Sequence, residues 1–224
     1  RALQGALCLG GGARLDAELV ARAPFAPGGA WLMFACFGAG TPSHSAYHHW
    51  LARLQADGEH DDDLAPVLAS LPAEGEPPFL AALPQAALAN PAGPLAVIGH
   101  LDLAWSYGFH DLDKMSRGAR HRRFHELVAQ LVKGTRVGLA LGGSLMRARN
   151  QVQAEIAIAA DAAHADRVRG DGAVDPQVRL GHRWMVLQDL AGYIALGDPA
   201  ARLYTEAGRR AVASPAASTA SSTR

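Results

Sequence analysis

Net charge, cysteine and long apolar runs are all scarce in this chain. Lys and Arg together number 21, and so do Asp and Glu. No overall field therefore draws the chain to nucleic acid or to an acidic membrane surface, and neither is expected as a partner. No apolar run approaches the roughly 18 residues that read as a membrane span. Cys8 and Cys36 are the only cysteines, too few for a disulfide framework, so a reducing, cytoplasmic setting is expected. Arg1-Ala2-Leu3-Gln4 opens the chain without an initiator methionine and without the basic and apolar regions of an export signal. Histidine is absent before Cys36.

Motifs for cofactors and metals are also missing. Gly10-Gly11-Gly12 lacks the lysine of a P-loop and the spaced glycines of a dinucleotide fingerprint. His44 and His48 stand one helical turn apart, as do His121 and His125. Neither pair has the glutamate of a zinc-protease helix or a neighbouring cysteine cluster, so both read as surface histidines. The Arg117, Arg120, Arg122 and Arg123 cluster lacks interleaved aromatics and reads as a solvated helix face. No cofactor and no metal are expected.

What is present is enough apolar residue for one sizeable core, 49% of 224 residues, so one domain over residues 1–210 is expected. Residues 211–224 are rich in Ala, Ser and Thr without periodicity and read as a disordered tail. Ala30-Trp31-Leu32-Met33-Phe34-Ala35-Cys36 reads as a buried strand stopped by Phe37-Gly38-Ala39-Gly40. Leu95 to His100, Thr135 to Leu141 and Tyr193 to Leu196 read as further strands, and Gln4 to Leu9 as a first one. Helices are expected around Leu15–Ala23, over Ser43–Gln55 with Ser43 as cap, near Leu64–Leu71, and around Leu80–Leu88. Others follow over Ala119–Lys133, Ser144–Arg167 and Asp175–Gln188. Alternation of strands and helices implies an α/β fold, a mostly parallel sheet with helices on both faces. In such sheets ligands bind beyond the carboxyl ends of the strands, which is where Cys36 falls. The alternative is a cysteine serving as a small buried hydrophobe. His100 closes a neighbouring strand and is the best placed substitute base, with Asp102 two residues on to orient it.

Phe34-Ala35-Cys36-Phe37-Gly38-Ala39-Gly40-Thr41-Pro42 resembles the cysteine strand end of gingipain-type peptidases, members of the caspase-like clan. Leu95 to His100 with Ala104-Trp105-Ser106 resembles the next strand and its pocket loop, and Tyr193 to Ala200 the closing strand with its Gly-Asp-Pro turn. The resemblance implies a caspase-like three-layer αβα sandwich in which Cys36 is the nucleophile of an endopeptidase. Its own N–H would help hold the oxyanion, and Ala104, Trp105 and Ser106 would lie by the substrate pocket. The family's base stands in a His-Gly pair before the cysteine. The 35 residues that precede Cys36 carry none. The resemblance thus implies a domain incomplete at its N-terminal side, inactive by itself, whose partners are a peptide or protein substrate and an upstream fragment of the same domain. A non-catalytic caspase-like module that binds a peptide or partner domain is the alternative. An unrelated α/β hydrolase or transferase using Cys36 is a third.

Overall fold

The computed structural model describes residues 6–56, 61–73, 75–105, 121–169 and 176–203. The 211–224 tail, Ser106 and the Tyr107–Phe109 loop fall outside them. The described residues are mixed α/β, organised on a three-stranded sheet of order β3-β6-β7, formed by Ala30–Leu32, Ala96–His100 and Tyr193–Gly197. The centre is β6, buried along its whole length. Its side chains alternate between two cores, as strand geometry requires. Ala96 and Ile98 join one apolar cluster with Leu127, Leu145 and Leu190, while Val97 joins another with Val20, Leu83 and Ala87. Ile98 is 0% exposed, so Ile98→Val should cost about 1 kcal/mol, the usual loss for one buried methyl group. An unshifted urea midpoint would contradict the packing described.

The elements around the sheet follow from local sequence. Leu7–Cys8 (β1) and Arg14–Leu15 (β2) form a small antiparallel hairpin across a 3-10 turn, Gly10–Gly12, whose Gly11 and Gly12 have positive φ. Helix α1 (Ala17–Arg22) begins at Asp16, whose carboxylate accepts the Leu19 N–H at 2.9 Å. Gly40–Thr41 (β4) pairs antiparallel with Phe79–Leu80 (β5). Between them lie α2 (His48–Ala56) and α3 (Asp61–Ser70), and after them α4 (Ala82–Ala89). Helix α5 (His121–Val132) buries Phe124, Leu127 and Leu131 at i, i+3 and i+7. It gives way at Gly134, which has positive φ, to α6 (Val137–Leu141). A π-helical turn, Gly142–Met146, joins α6 to α7 (Arg147–Arg169), and α8 (Pro176–Gly192) leads straight into β7.

Several expectations change here. Thr135–Leu141 is not a strand. Val137, Ala140 and Leu141 are buried while Leu139 is 66% exposed, the i, i+3, i+4 pattern of a helix. A short apolar run does not separate the two by periodicity. Of the expected first strand, Gln4 and Gly5 lie outside the described residues, and Leu7–Cys8 pairs within its own hairpin rather than with the main sheet. The sheet is partly rather than mostly parallel: β3 runs parallel to β6, but β7 is antiparallel. No crossover separates α8 from β7, so the chain turns back along β6 at once. Helix α2 starts at His48, five residues beyond Ser43. The residue that organises its entry is Ser45, whose hydroxyl accepts the Tyr47 N–H at 3.2 Å.

Candidate functional site

Cys36 leaves the sheet just past β3, in a turn beyond its last residue. The chain continues beside β6 for a while, with the Met33 N–H on the Ile98 carbonyl at 2.8 Å and the Ala39 N–H on the His100 carbonyl at 2.9 Å. Between these two bonds the backbone bulges outward. Phe37 takes a left-handed φ of 55°, uncommon for a residue with a side chain, and its N–H is fixed on the Asp102 carbonyl at 2.9 Å. The bulge puts Cys36 at the surface. Its sulfur faces one backbone unit: Ala104 N–H donates to Sγ at 3.3 Å, and the thiol reaches the Ala104 carbonyl at 3.5 Å. Among the described residues nothing accepts the Cys36 N–H.

The segment past β6 is held by two buried carboxylates. Asp102 accepts the Ser45 hydroxyl at 2.8 Å, the Ala46 N–H at 2.8 Å and the Leu103 N–H at 2.8 Å. Asp189, on α8, accepts the Trp105 N–H at 2.8 Å. The Trp105 ring meets Tyr47 edge-on, with centroids 5.8 Å apart. Ala104 and Trp105, expected at the pocket, thus stand beside Cys36, half-buried. Cys8, the other thiol, is also exposed but lies in the β1 hairpin.

His100 does not bond to the thiol. Its ring is 0% exposed. Nε2 lies 2.8 Å from the Asp189 carbonyl, and Nδ1 sits between the Asp102 N–H at 3.1 Å and the Asp102 carbonyl at 2.9 Å. Tyr193 packs edge-on against it at 4.8 Å. With both nitrogens held by backbone, the imidazole braces the end of β6 against α8. Asp102 does not orient it through its carboxylate, which is occupied by the α2 entry, but through its main chain. Among the described residues no imidazole bonds to Cys36 Sγ.

Three members of this neighbourhood were not anticipated: Asp189, Ser45 and the Tyr47 hydroxyl. Val186, Asp189, Leu190 and Tyr193 follow each other at i, i+3, i+4 and i+7, and all are buried. A carboxylate on an apolar stripe was the available signal. Burial, then the Asp189 and Asp102 charges, push the Tyr47 phenol far above its ordinary value, and burial with Asp189 does the same to Tyr193. Neither serves as a base near neutral pH. Burial also lifts the Asp189 carboxyl, opposed by the Trp105 N–H and by His100. A carboxyl raised on folding binds its proton more tightly in the native state. Its contribution is greatest below the unfolded value and is lost as pH rises through the folded one. Asp189→Asn should therefore gain stability relative to the parent chain as pH climbs from about 4 toward neutrality. Paired urea titrations at several pH values check this, and a pH-independent difference would contradict it.

His44 and His48 are exposed, with ring centroids 5.6 Å apart. Among the described residues no group of three or more His, Cys, Asp or Glu side chains is arranged to hold a metal ion. No helix among them is long and apolar enough to cross a membrane. Gly197 takes a φ of 91°, and the Ala200 N–H closes an Asx turn on the Asp198 carboxylate at 2.8 Å. A scan of protein-family models found no match to this chain, and searches of curated proteins and of solved structures found none either.

Proposed function

We propose that this chain carries the nucleophile of a caspase-like cysteine endopeptidase with a three-layer αβα sandwich. The observation that carries the reading is the exposed Cys36 thiol beyond the carboxyl end of β3, with its own N–H unclaimed and the Ala104-Trp105 segment alongside. In this reading the sulfur attacks the carbonyl carbon of a peptide, and the electron pair moves to the carbonyl oxygen. The Cys36 N–H is placed to stabilise that developing charge. Collapse forms a thioester and releases the amine, which takes up the proton the thiol gave to the base, and water then hydrolyses the thioester to a carboxylic acid and the free thiol. The thiol proton needs an acceptor, and His100 is engaged elsewhere. We assign the base to an added segment that lies along β3 on the side away from β6, where no strand pairs among the described residues. An extended segment docking on a free sheet edge is a common mode of association.

The test is a peptidyl acyloxymethyl ketone, read by mass spectrometry of tryptic peptides. Thioether formation on Cys36 far faster than on Cys8 is expected. Equal modification of both thiols would contradict the reading. A second reading, a non-catalytic caspase-like module that binds a peptide or a partner domain, is favoured by one observation, the lack of any imidazole on Sγ among the described residues. It predicts tight association with an upstream segment and no covalent labelling.

A further inference from the structure

We propose that Asp189 is a positioning residue for Cys36, acting through its hydrogen bond to the Trp105 N–H and so through the Ala104 backbone that holds the sulfur. The inference rests on the nucleophile reading above and extends it to a residue 153 positions away in sequence (189 − 36). The orientation of Sγ is set by a single backbone unit, since the only bonds to the sulfur among the described residues are those of the Ala104 N–H and carbonyl. Where that unit sits depends on its neighbours. On one side the Leu103 N–H is fixed on Asp102 at 2.8 Å. On the other the Trp105 N–H is fixed on Asp189 Oδ1 at 2.8 Å.

The two anchors differ in their other duties. Asp102 also ties Ser45 and Ala46, so its loss would disturb the α2 entry as well. The Asp189 carboxylate is more narrowly employed. It is 0% exposed, its Oδ1 serves Trp105, and its Oδ2 has no hydrogen-bond partner among the described residues. His100 Nε2 is 3.8 Å from Oδ1 and bonds instead to the Asp189 main-chain carbonyl at 2.8 Å. A buried carboxylate kept for architecture alone ordinarily has both oxygens satisfied. Here one oxygen holds the strap beside the thiol and the other is left bare. The consequence for reactivity follows from the donor on sulfur. The Ala104 N–H on Sγ fixes the direction in which the sulfur is presented to an electrophile. A strap released from Asp189 no longer keeps that donor in place.

The experiment uses the intact chain and a limiting amount of iodoacetamide, and reads the ratio of Cys36 to Cys8 alkylation. Cys8 shares no bond with the strap and serves as an internal control for exposure and reagent. Asp189→Ala should lower the ratio about fivefold, the worth of one hydrogen bond of ordinary strength. Asp189→Asn keeps an acceptor oxygen and should restore the ratio to within about twofold of the parent. An unchanged ratio in Asp189→Ala, or an Asn variant as impaired as the Ala variant, would overturn the proposal. Amide hydrogen exchange at Trp105 in the unaltered chain gives a second reading that needs no variant. Protection comparable to the β6 amides is expected, and exchange at the rate of an open loop would overturn the proposal. Failure of the peptidase reading is seen separately, as an absence of peptidyl labelling while the alkylation ratio still responds to residue 189.

Discussion

Gly192→Ala should cost the folded state about 3–5 kcal/mol, the sum expected when overpacking is joined to the loss of buried hydrogen bonds. A Cβ built on Gly192 would lie under 3.0 Å from the Cε1, Nε2 and Nδ1 atoms of His100, closer than real side-chain contacts come. A flexible chain end could step aside at little cost. This ring cannot, because both nitrogens are bonded and Tyr193 covers its flank. The backbone cannot yield easily either, since the Gly192 carbonyl accepts the Leu101 N–H at 3.0 Å. Urea unfolding measures the loss. In a His100→Ala background the added cost of Gly192→Ala should fall to about 1 kcal/mol or less, because the obstacle has gone and neighbouring substitutions then couple strongly. Additive costs would show that the ring and Gly192 are not in contact.

Cys36→Ala should abolish covalent capture of a peptidyl ketone while leaving the unfolding midpoint nearly where it was. The thiol is exposed and among the described residues makes only two weak bonds, both to Ala104, so its removal should change stability by about 0.5 kcal/mol or less. Cys36→Ser keeps the size and the bonding capacity of the group but replaces a soft nucleophile by a hydroxyl that needs a base to ionise. It should be equally unreactive. Labelling that persists in either variant would place the reactive group elsewhere, Cys8 being the first to examine. A large drop in stability would mean that Cys36 is a packing residue.

The parts of the fold legible in sequence are those with one dominant period. The apolar run before His100 became β6, Tyr193 to Leu196 became β7 with Gly197 added at its end, and the stripe Phe124, Leu127, Leu131 became the inner face of α5. The strand expected to run to Cys36 ends at Leu32, and Cys36 is exposed because the backbone bulges beyond it, with Phe37 in a left-handed conformation. Thr135–Leu141 misled because a five-residue run with four apolar side chains fits a strand or about one and a half turns of helix equally well. The fate of His100 was hidden for a different reason. Whether a histidine at a strand end faces a cleft or the interior depends on what packs over it, here α8 and Gly192, some 90 residues further along (192 − 100 = 92). Asp189 and Ser45 were missed because their partners, Trp105 and Asp102, lie 84 and 57 residues away. Local pattern does not carry that information.

The central claim is that Cys36 forms an acyl intermediate, and the most direct measurement is acylation of the chain by an activated peptidyl ester. We predict one acyl group per chain, located on the Cys36 tryptic peptide and removed by hydroxylamine as a thioester is. Acyl groups shared between Cys8 and Cys36, or found on amines alone, would contradict the claim.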